Sequence, residues 1–377
     1  MSLHSSSVLR TGSQVLRPRR ILTESIRPGP TAATFARGYA AHVQHETAVS
    51  DRSAHRARGR QVAAAIVAGC CVLIGATGVI AYFTDTQNRY VVGLASFAPI
   101  LMAFSLLGIA VAVVSQRWIL ATASTVVAVT ASALLAPMYI ASDRPPAETP
   151  GQGRSLHVLQ ANLMLGLADT GNVLDLVRSR DIDVFTAQEL TFDAERLLDA
   201  AGIAELLPYR YTKPTPGGGG GTGIFSRFPI SGERELPVFT LSNLSVDLDV
   251  GAEQPVRVYS VHPVPPYPSP TPLWASEMDL LRSEVSTATS MSNVIVSGDF
   301  NSTRSHSKFR HILDAGYEDA ADVTGSGLIP TYPTDKSYPP VVGIDHVLTR
   351  GARATALEPV SILGSDHAGL VAEIQLR

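Results

Sequence analysis

Val294-Ile295-Val296-Ser297-Gly298-Asp299-Phe300-Asn301 drives three apolar β-formers into Ser-Gly and then sets an Asp and an Asn two positions apart. The octet reads as a buried strand whose last turn carries polar work. Side chains alternate along a strand, so Asp299 and Asn301 leave it on one side and Phe300 packs on the other. A carboxylate beside an amide can hold a water and a phosphate oxygen. It can equally cap a loop, because Asx residues are common after strands. Alone, the octet does not choose.

Its surroundings narrow the choice. Residues 155–377 alternate short apolar runs with helical patterns. Strands are predicted at 156–162, 184–188, 223–226, 244–248, 256–262, 294–298, 344–349 and 369–376, and helices at 171–179, 192–201 and 273–287. Two layers of sheet flanked by helices would bury this much apolar strand. Strand after strand ends in a polar side chain: Asn162, Glu189, His262 and Asp299. Asp345-His346 and Asp366-His367 stand instead at strand starts. If those last strands run antiparallel to the others, all these groups meet on one rim. Carboxylate and amide oxygens there suit Mg²⁺ or Mn²⁺ better than Zn²⁺.

In order and spacing, Gln160-Ala-Asn162, Gln188-Glu189, Gly223-Ile-Phe-Ser-Arg227, Val261-His262, Gly298-Asp299-Phe300-Asn301, Ile344-Asp345-His346 and Ser365-Asp366-His367 resemble the endonuclease/exonuclease/phosphatase superfamily. The resemblance implies an α+β, four-layer αββα sandwich and metal-dependent hydrolysis of phosphoesters. Carried over by position, it implies that Glu189 is the principal Mg²⁺ ligand, with Asn162 beside it and Asp366 as a further ligand. It implies that Asp299 positions the attacking water and that Asn301 hydrogen-bonds the phosphoryl oxygens. It makes His367, oriented by Asp345, a base or a stabiliser of the pentavalent centre. His262 matches the histidine that protonates the leaving oxygen in the deoxyribonuclease branch. The abasic-site branch has Tyr there.

Other residues have quieter readings. Gly217–Gly221 lacks the Lys-Ser/Thr of a phosphate-binding P-loop and is expected to be a flexible loop. His346 points opposite to Asp345 and is expected in the core. Arg304 either grips a substrate anion or lies on a solvated face. The proline-rich stretch 263–274 reads as a rigid surface loop over the sheet or, alternatively, as an exposed lip whose Tyr267 and Trp274 touch a bilayer or an acyl chain.

Ahead of this domain lie three charge-free apolar runs, 62–83, 90–115 and 118–140, each long enough for a transmembrane helix. Pro99 is placed to kink the second. Residues 1–61 hold ten arginines against three acids (Glu24, Glu46, Asp51). They read as a disordered basic tail, with some likeness to a transit peptide. Arg52, Arg56, Arg58 and Arg60 beside the first run predict a cytoplasmic N-terminus, and three crossings then place the C-terminal domain outside. Residues 141–154 are expected to be a linker that reaches at most about 50 Å. The only cysteines, Cys70 and Cys71, lie inside the first apolar run, so no disulfide framework is available to the C-terminal domain.

Residues 150–377 carry 17 Lys/Arg against 27 Asp/Glu. That balance disfavours nucleic acid; with the short tether, the three apolar runs and the aromatic residues of 263–274 it favours a membrane-held hydrolase of a lipid phosphate, pyrophosphate or phosphodiester. A membrane-tethered nuclease is the alternative, and a catalytically dead recognition domain a third. Three spans before an outward domain of this family also resemble the bacterial membrane proteins linked to teicoplanin resistance, which implies work on cell-wall lipid intermediates. No feature calls for a protein partner.

Overall fold

The computed structural model describes residues 32–142 and 154–377; the basic stretch 1–31 lies outside them. Helix α1 is Ala32–Phe83, α2 Arg89–Ser96, α3 Ala98–Val114 and α4 Trp118–Tyr139. Residues 32–61, expected to be disordered, are the N-terminal part of α1. They contain no proline, and Ala, Arg and Gln propagate a helix without a new nucleation cost.

Among the described residues, two helices, Phe35–Phe83 and Trp118–Tyr139, are long and apolar enough to cross a membrane. The expected second span is not one rod. It breaks between α2 and α3, which are bent by 66° and are long and apolar enough to cross only together. Phe97 sits at the break and Pro99 at the start of α3. A proline cannot donate to the preceding turn and its ring collides with that turn, but it suits a helix's first turn, so a new helix starts there.

The C-terminal domain follows as β1 Ser155–Asn162, α5 Thr170–Ser179, β2 Val184–Gln188, α6 Phe192–Ala201, α7 Ile203–Leu206, β3 Tyr209–Lys213, β4 Thr222–Ser226 and β5 Ile230–Glu235. Next come β6 Leu244–Leu248, β7 Val256–Val261, α8 Thr271–Ser286, β8 Asn293–Asp299, α9 Ser307–Leu313, β9 Glu318–Asp319 and α10 Ala320–Thr324. The chain closes with β10 Asp345–Arg350, β11 Arg353–Ser361 and β12 Ala368–Gln375. Two six-stranded sheets form, ordered β11-β12-β1-β2-β4-β3 and β5-β6-β7-β8-β10-β9. Val158, Val184, Val246, Val258, Ile295 and Ala372 pack between them. The outer face of the first sheet is covered by Val173, Val177 and Leu198 of α5 and α6. The outer face of the second is covered by Trp274, Met278 and Leu281 of α8 and Phe309 of α9. The result is four layers, helix–sheet–sheet–helix.

Register decides the site. β1 and β2 are parallel, as are β7 and β8, so their C-terminal ends lie together. β12 is antiparallel to β1, and β10 is antiparallel to β8 with Asp345 directly opposite Asp299. Strand starts and strand ends therefore share one rim. Gly298 is required there, because a Cβ at that position would meet the Val261 carbonyl oxygen of β7.

The helix ends dock directly on this domain. Ser142 N–H donates to Val323 O, and Gly327 N–H donates to Met138 O at 2.6 Å. The expected free linker therefore begins as a docked segment; residues 143–153 lie outside the described ones. Arg310 stacks on the Tyr82 ring at 3.8 Å and bonds the Tyr82 carbonyl. Ser307 donates to Asp85, and His306 Nε2–H donates to Val92 O of α2 at 3.0 Å.

Candidate active site

Asp299 is the hub. It lies at the end of β8, 1% exposed, and its Oδ1 accepts the Asn301 N–H at 2.8 Å. Its Oδ2 accepts from Asn162 Nδ2 at 3.1 Å and faces His262 Nε2 at 3.6 Å and His367 Nε2 at 3.8 Å. Burial, and next the neighbouring Asp345 charge, push its carboxyl above the usual range; His367 and His262 pull the other way. A buried carboxylate made more basic is suited to accept a proton from water.

His367 Nδ1 bonds Asp345 Oδ2 at 2.8 Å, which orients the ring. Burial favours the neutral ring, but Asp345 and Asp299 overcome it and raise the imidazole to about 10. Burial also pushes on Asp345. The His367 charge, together with hydrogen bonds from His367, Thr331 and Gln160, nonetheless holds it below its ordinary value. Gln160 Nε2 reaches Asp345 Oδ1 at 2.7 Å and Gln188 Oε1 at 2.8 Å, so a polar strip between the sheets supports the pair.

Glu189 and Asn301 both adopt left-handed backbone, at φ 57° and 48°. For residues with a Cβ this costs of order 1–3 kcal/mol each and is concentrated at functional sites. Glu189 accepts the Leu165 N–H at 2.6 Å and Asn162 Nδ2 at 3.2 Å. Asn162 thus bridges Glu189 and Asp299 as a donor, while its oxygen accepts from Met164 N–H. The first two glycines of the run, Gly217 and Gly218, are open, but its later part is packed. Gly219 lies against the Glu189 carboxylate, and a Cβ at Gly221 would strike the Leu190 carbonyl. Asp366 is half-buried, and burial raises its carboxyl, with a smaller push from Glu189.

Among the described residues, Asp299, Asp345 and His367 form a group able to hold a cation, their ligand atoms within 4.8 Å of one another. A cation inside that group would compete with the proton shared by His367 and Asp345. Asn162, Glu189 and Asp299 make a more open edge, where two carboxylates are now bridged only by an amide. With its oxygen turned inward, Asn162 would complete an oxygen-rich set that fits Mg²⁺ or Mn²⁺.

Eight of the nine site residues expected from the sequence gather on this rim. Arg304 does not. It pairs with Asp322 at 2.9 Å and lies 3.4 Å from the Tyr82 hydroxyl, facing the helices. Asn301 Nδ2 donates to Pro263 O at 3.0 Å. His346 is buried with both ring nitrogens engaged, by Asp319 at 2.8 Å and Ser302 O at 3.0 Å. Trp274, which the lip reading exposes, is 1% exposed and donates to Ser302 Oγ, whereas Tyr267 is 80% exposed. The apolar spacing of α8 claims Trp274 for the core.

Two contributors were not foreseen. Tyr332 sets its ring 4.8 Å from that of His367. Ser365 Oγ accepts the His367 N–H and donates to the Asn162 carbonyl, tying two strands of the rim. Ser365 opens the Ser365-Asp366-His367 motif, which gave it no role, and Tyr332 stands in no motif.

A two-sheet sandwich with carboxylates, amides and imidazoles on one rim defines a class of phosphoester hydrolases. The chain belongs to the Endonuclease/Exonuclease/phosphatase family, which its residues 159–367 match. Members hydrolyse phosphoester bonds with a divalent metal and include nucleases and phosphatases. Three solved structures are similar to part of the chain at low identity. A humanized TDP2 of D. rerio is 13% identical, covers 58% of this chain and 98% of its own, and has a TM-score of 0.48. The 3′ phosphatase NExo from Neisseria, bound to a product DNA hairpin, is 18% identical over 58% and 98%, with a TM-score of 0.45. An endonuclease/exonuclease/phosphatase from Beutenbergia cavernae is 19% identical over 59% and 72%, with a TM-score of 0.45. A search of the curated proteins finds no significant match.

Proposed function

We propose that the chain is a membrane-held, Mg²⁺-dependent hydrolase of a lipid phosphate, pyrophosphate or phosphodiester, acting outside the cytoplasm. The observation that carries this reading is the seating of the catalytic domain on the ends of apolar helices, at Tyr82, Val92 and Met138. A domain held there meets phosphate headgroups before it meets soluble substrates. Its excess of acids, 27 against 17 bases over residues 150–377, supports the same choice over nucleic acid. Arg52, Arg56, Arg58 and Arg60 support a cytoplasmic N-terminus.

Glu189, Asn162 and Asp366 would hold the cation, which supplies Lewis-acid neutralisation of charge at the phosphoryl oxygens. Asp299 orients the attacking water and takes its proton as the new P–O bond forms. Asn301 and the protonated His367 stabilise the charge that gathers on the equatorial oxygens. His262 Nε2 delivers a proton to the leaving oxygen as the old P–O bond breaks.

The test uses the full chain in detergent micelles with Mg²⁺, offered a polyprenyl pyrophosphate, a phospholipid, plasmid DNA and RNA. Lipid phosphoester cleavage is expected, lost on chelation and in Glu189→Ala. Cleavage of nucleic acid alone overturns the substrate assignment, and full activity of Glu189→Ala overturns the metal assignment.

A further inference from the structure

A cavity of about 230 Å³ lies between the helices and the catalytic domain. Ser96, Pro99, Ile100 and Met138 form its helix wall; Ile329, Pro330, Val341, Val342, Leu357 and Leu370 form the opposite wall. The charged groups at its end are already engaged. Arg304 is on Asp322, His346 is on Asp319, and Asp345 is held by His367 and Gln160. A water needs two to four free polar partners, so this space favours an apolar occupant. A dry cavity of about 150 Å³ accommodates benzene, and this one is larger.

Pro99 also lines a second space of about 310 Å³, a groove between α3 and α4 bordered by Met102, Leu106, Leu135 and Tyr139. The two spaces therefore adjoin at Pro99, and Met138 and Tyr139 line one each. In a bundle that spans a bilayer, that groove opens on hydrocarbon, where acyl and prenyl chains are the available ligands. At its other side the cavity reaches Asp345, the partner of His367. Tyr332 N–H donates to Val342 O of the cavity wall, while the Tyr332 ring lies on His367.

We propose that this cavity seats the hydrocarbon chain of the lipid whose phosphoester is cleaved on the rim beside it. The site rests on the lipid phosphoester reading above. It makes substrate choice a property of the joint between helices and catalytic domain, and so of the whole chain.

Two measurements on the full chain in lipid nanodiscs test it. In the first, a long-chain alkyl phosphate bearing a diazirine is photolysed and the adducts are mapped. Adducts on Ile100, Val342 or Leu328, which lines the same cavity, are expected, and adducts confined to the outer face of the helices overturn the site. In the second, Ile100→Trp and Leu328→Trp fill the cavity from opposite walls. Both side chains are partly exposed, 46% and 42%, so the added bulk has room without unfolding the core. Excluding about two methylenes from a dry site is expected to raise KM for a long-chain lipid phosphoester on the order of tenfold. Turnover of bis(p-nitrophenyl) phosphate should stay within about twofold of wild type, since the catalytic rim is untouched. Equal changes for both substrates, or none for the lipid, overturn the proposal. Hydrolysis of lipid without cavity adducts or KM change leaves the substrate reading standing and removes the cavity. Cavity adducts without hydrolysis of any lipid phosphoester do the reverse.

Discussion

Acidification should release α2 from the catalytic domain through one residue, His306. Its Nε2–H donates to Val92 O at 3.0 Å and its Nδ1 accepts the Thr303 N–H at 2.9 Å, so the ring is bound as the neutral Nε2–H tautomer. Protonation would turn Nδ1 into a donor facing another donor. Burial is the main cause that lowers this imidazole from 6.5 to about 4; Arg310 and His346 add to it. The ring is 3% exposed, so water screens little of this. A folded-state value below the unfolded one means the undocked ring binds the proton first. The contribution is therefore complete above pH 6.5 and is lost as the pH falls toward 4. At about 1.4 kcal/mol per unit, roughly 3 kcal/mol disappears over that window. Hydrogen exchange of Thr303 and of Val92–Ser96 in the full chain reports it, followed from about pH 7.5 to about 4.5 and corrected for intrinsic exchange chemistry. Protection should collapse in the wild type. It should stay flat in His306→Gln, which keeps a donor and an acceptor but does not titrate. Parallel pH profiles for the two proteins would refute the reasoning.

The remaining expectations concern single contacts. Asp345→Asn removes the partner that orients His367, and kcat should fall by about 10²–10⁴-fold with the fold intact by circular dichroism; a fall under threefold rejects the positioning role. Trp274→Ser empties a core position and should cost about 3–5 kcal/mol in denaturant unfolding. Tyr267→Ser, at an exposed site, should stay within about 0.5 kcal/mol. Arg304→Ala strands the Asp322 carboxylate and should lower stability by about 3 kcal/mol while KM for a soluble phosphodiester is unchanged; a large rise in KM instead restores Arg304 to substrate binding.

The central strands were legible because burial on both faces demands unbroken apolar runs. β2, β6 and the core of β8 stand where Val184–Gln188, Leu244–Leu248 and Val294–Gly298 placed them. Edge strands were not. β5 shows five of six residues to solvent and β11 is largely exposed, so neither needs an apolar signature. The short helices α7, α9 and α10 are too brief to show a period.

By itself the sequence determined where polar residues close buried strands, and the order of those closures carried the resemblance to the family. Asn162, Glu189, His262 and Asp299 carry that signal one strand at a time. Only the tertiary structure decided what each residue faces. The antiparallel register sets Asp345 against Asp299, a helical stripe takes Trp274 into the core, and the docked helices take Arg304 away from the rim. Such pairings join residues far apart in the chain, where local propensity and periodicity carry no information. The same holds for the joint between helices and catalytic domain: it is made by His306, Arg310 and Gly327, none of which announces a partner in sequence.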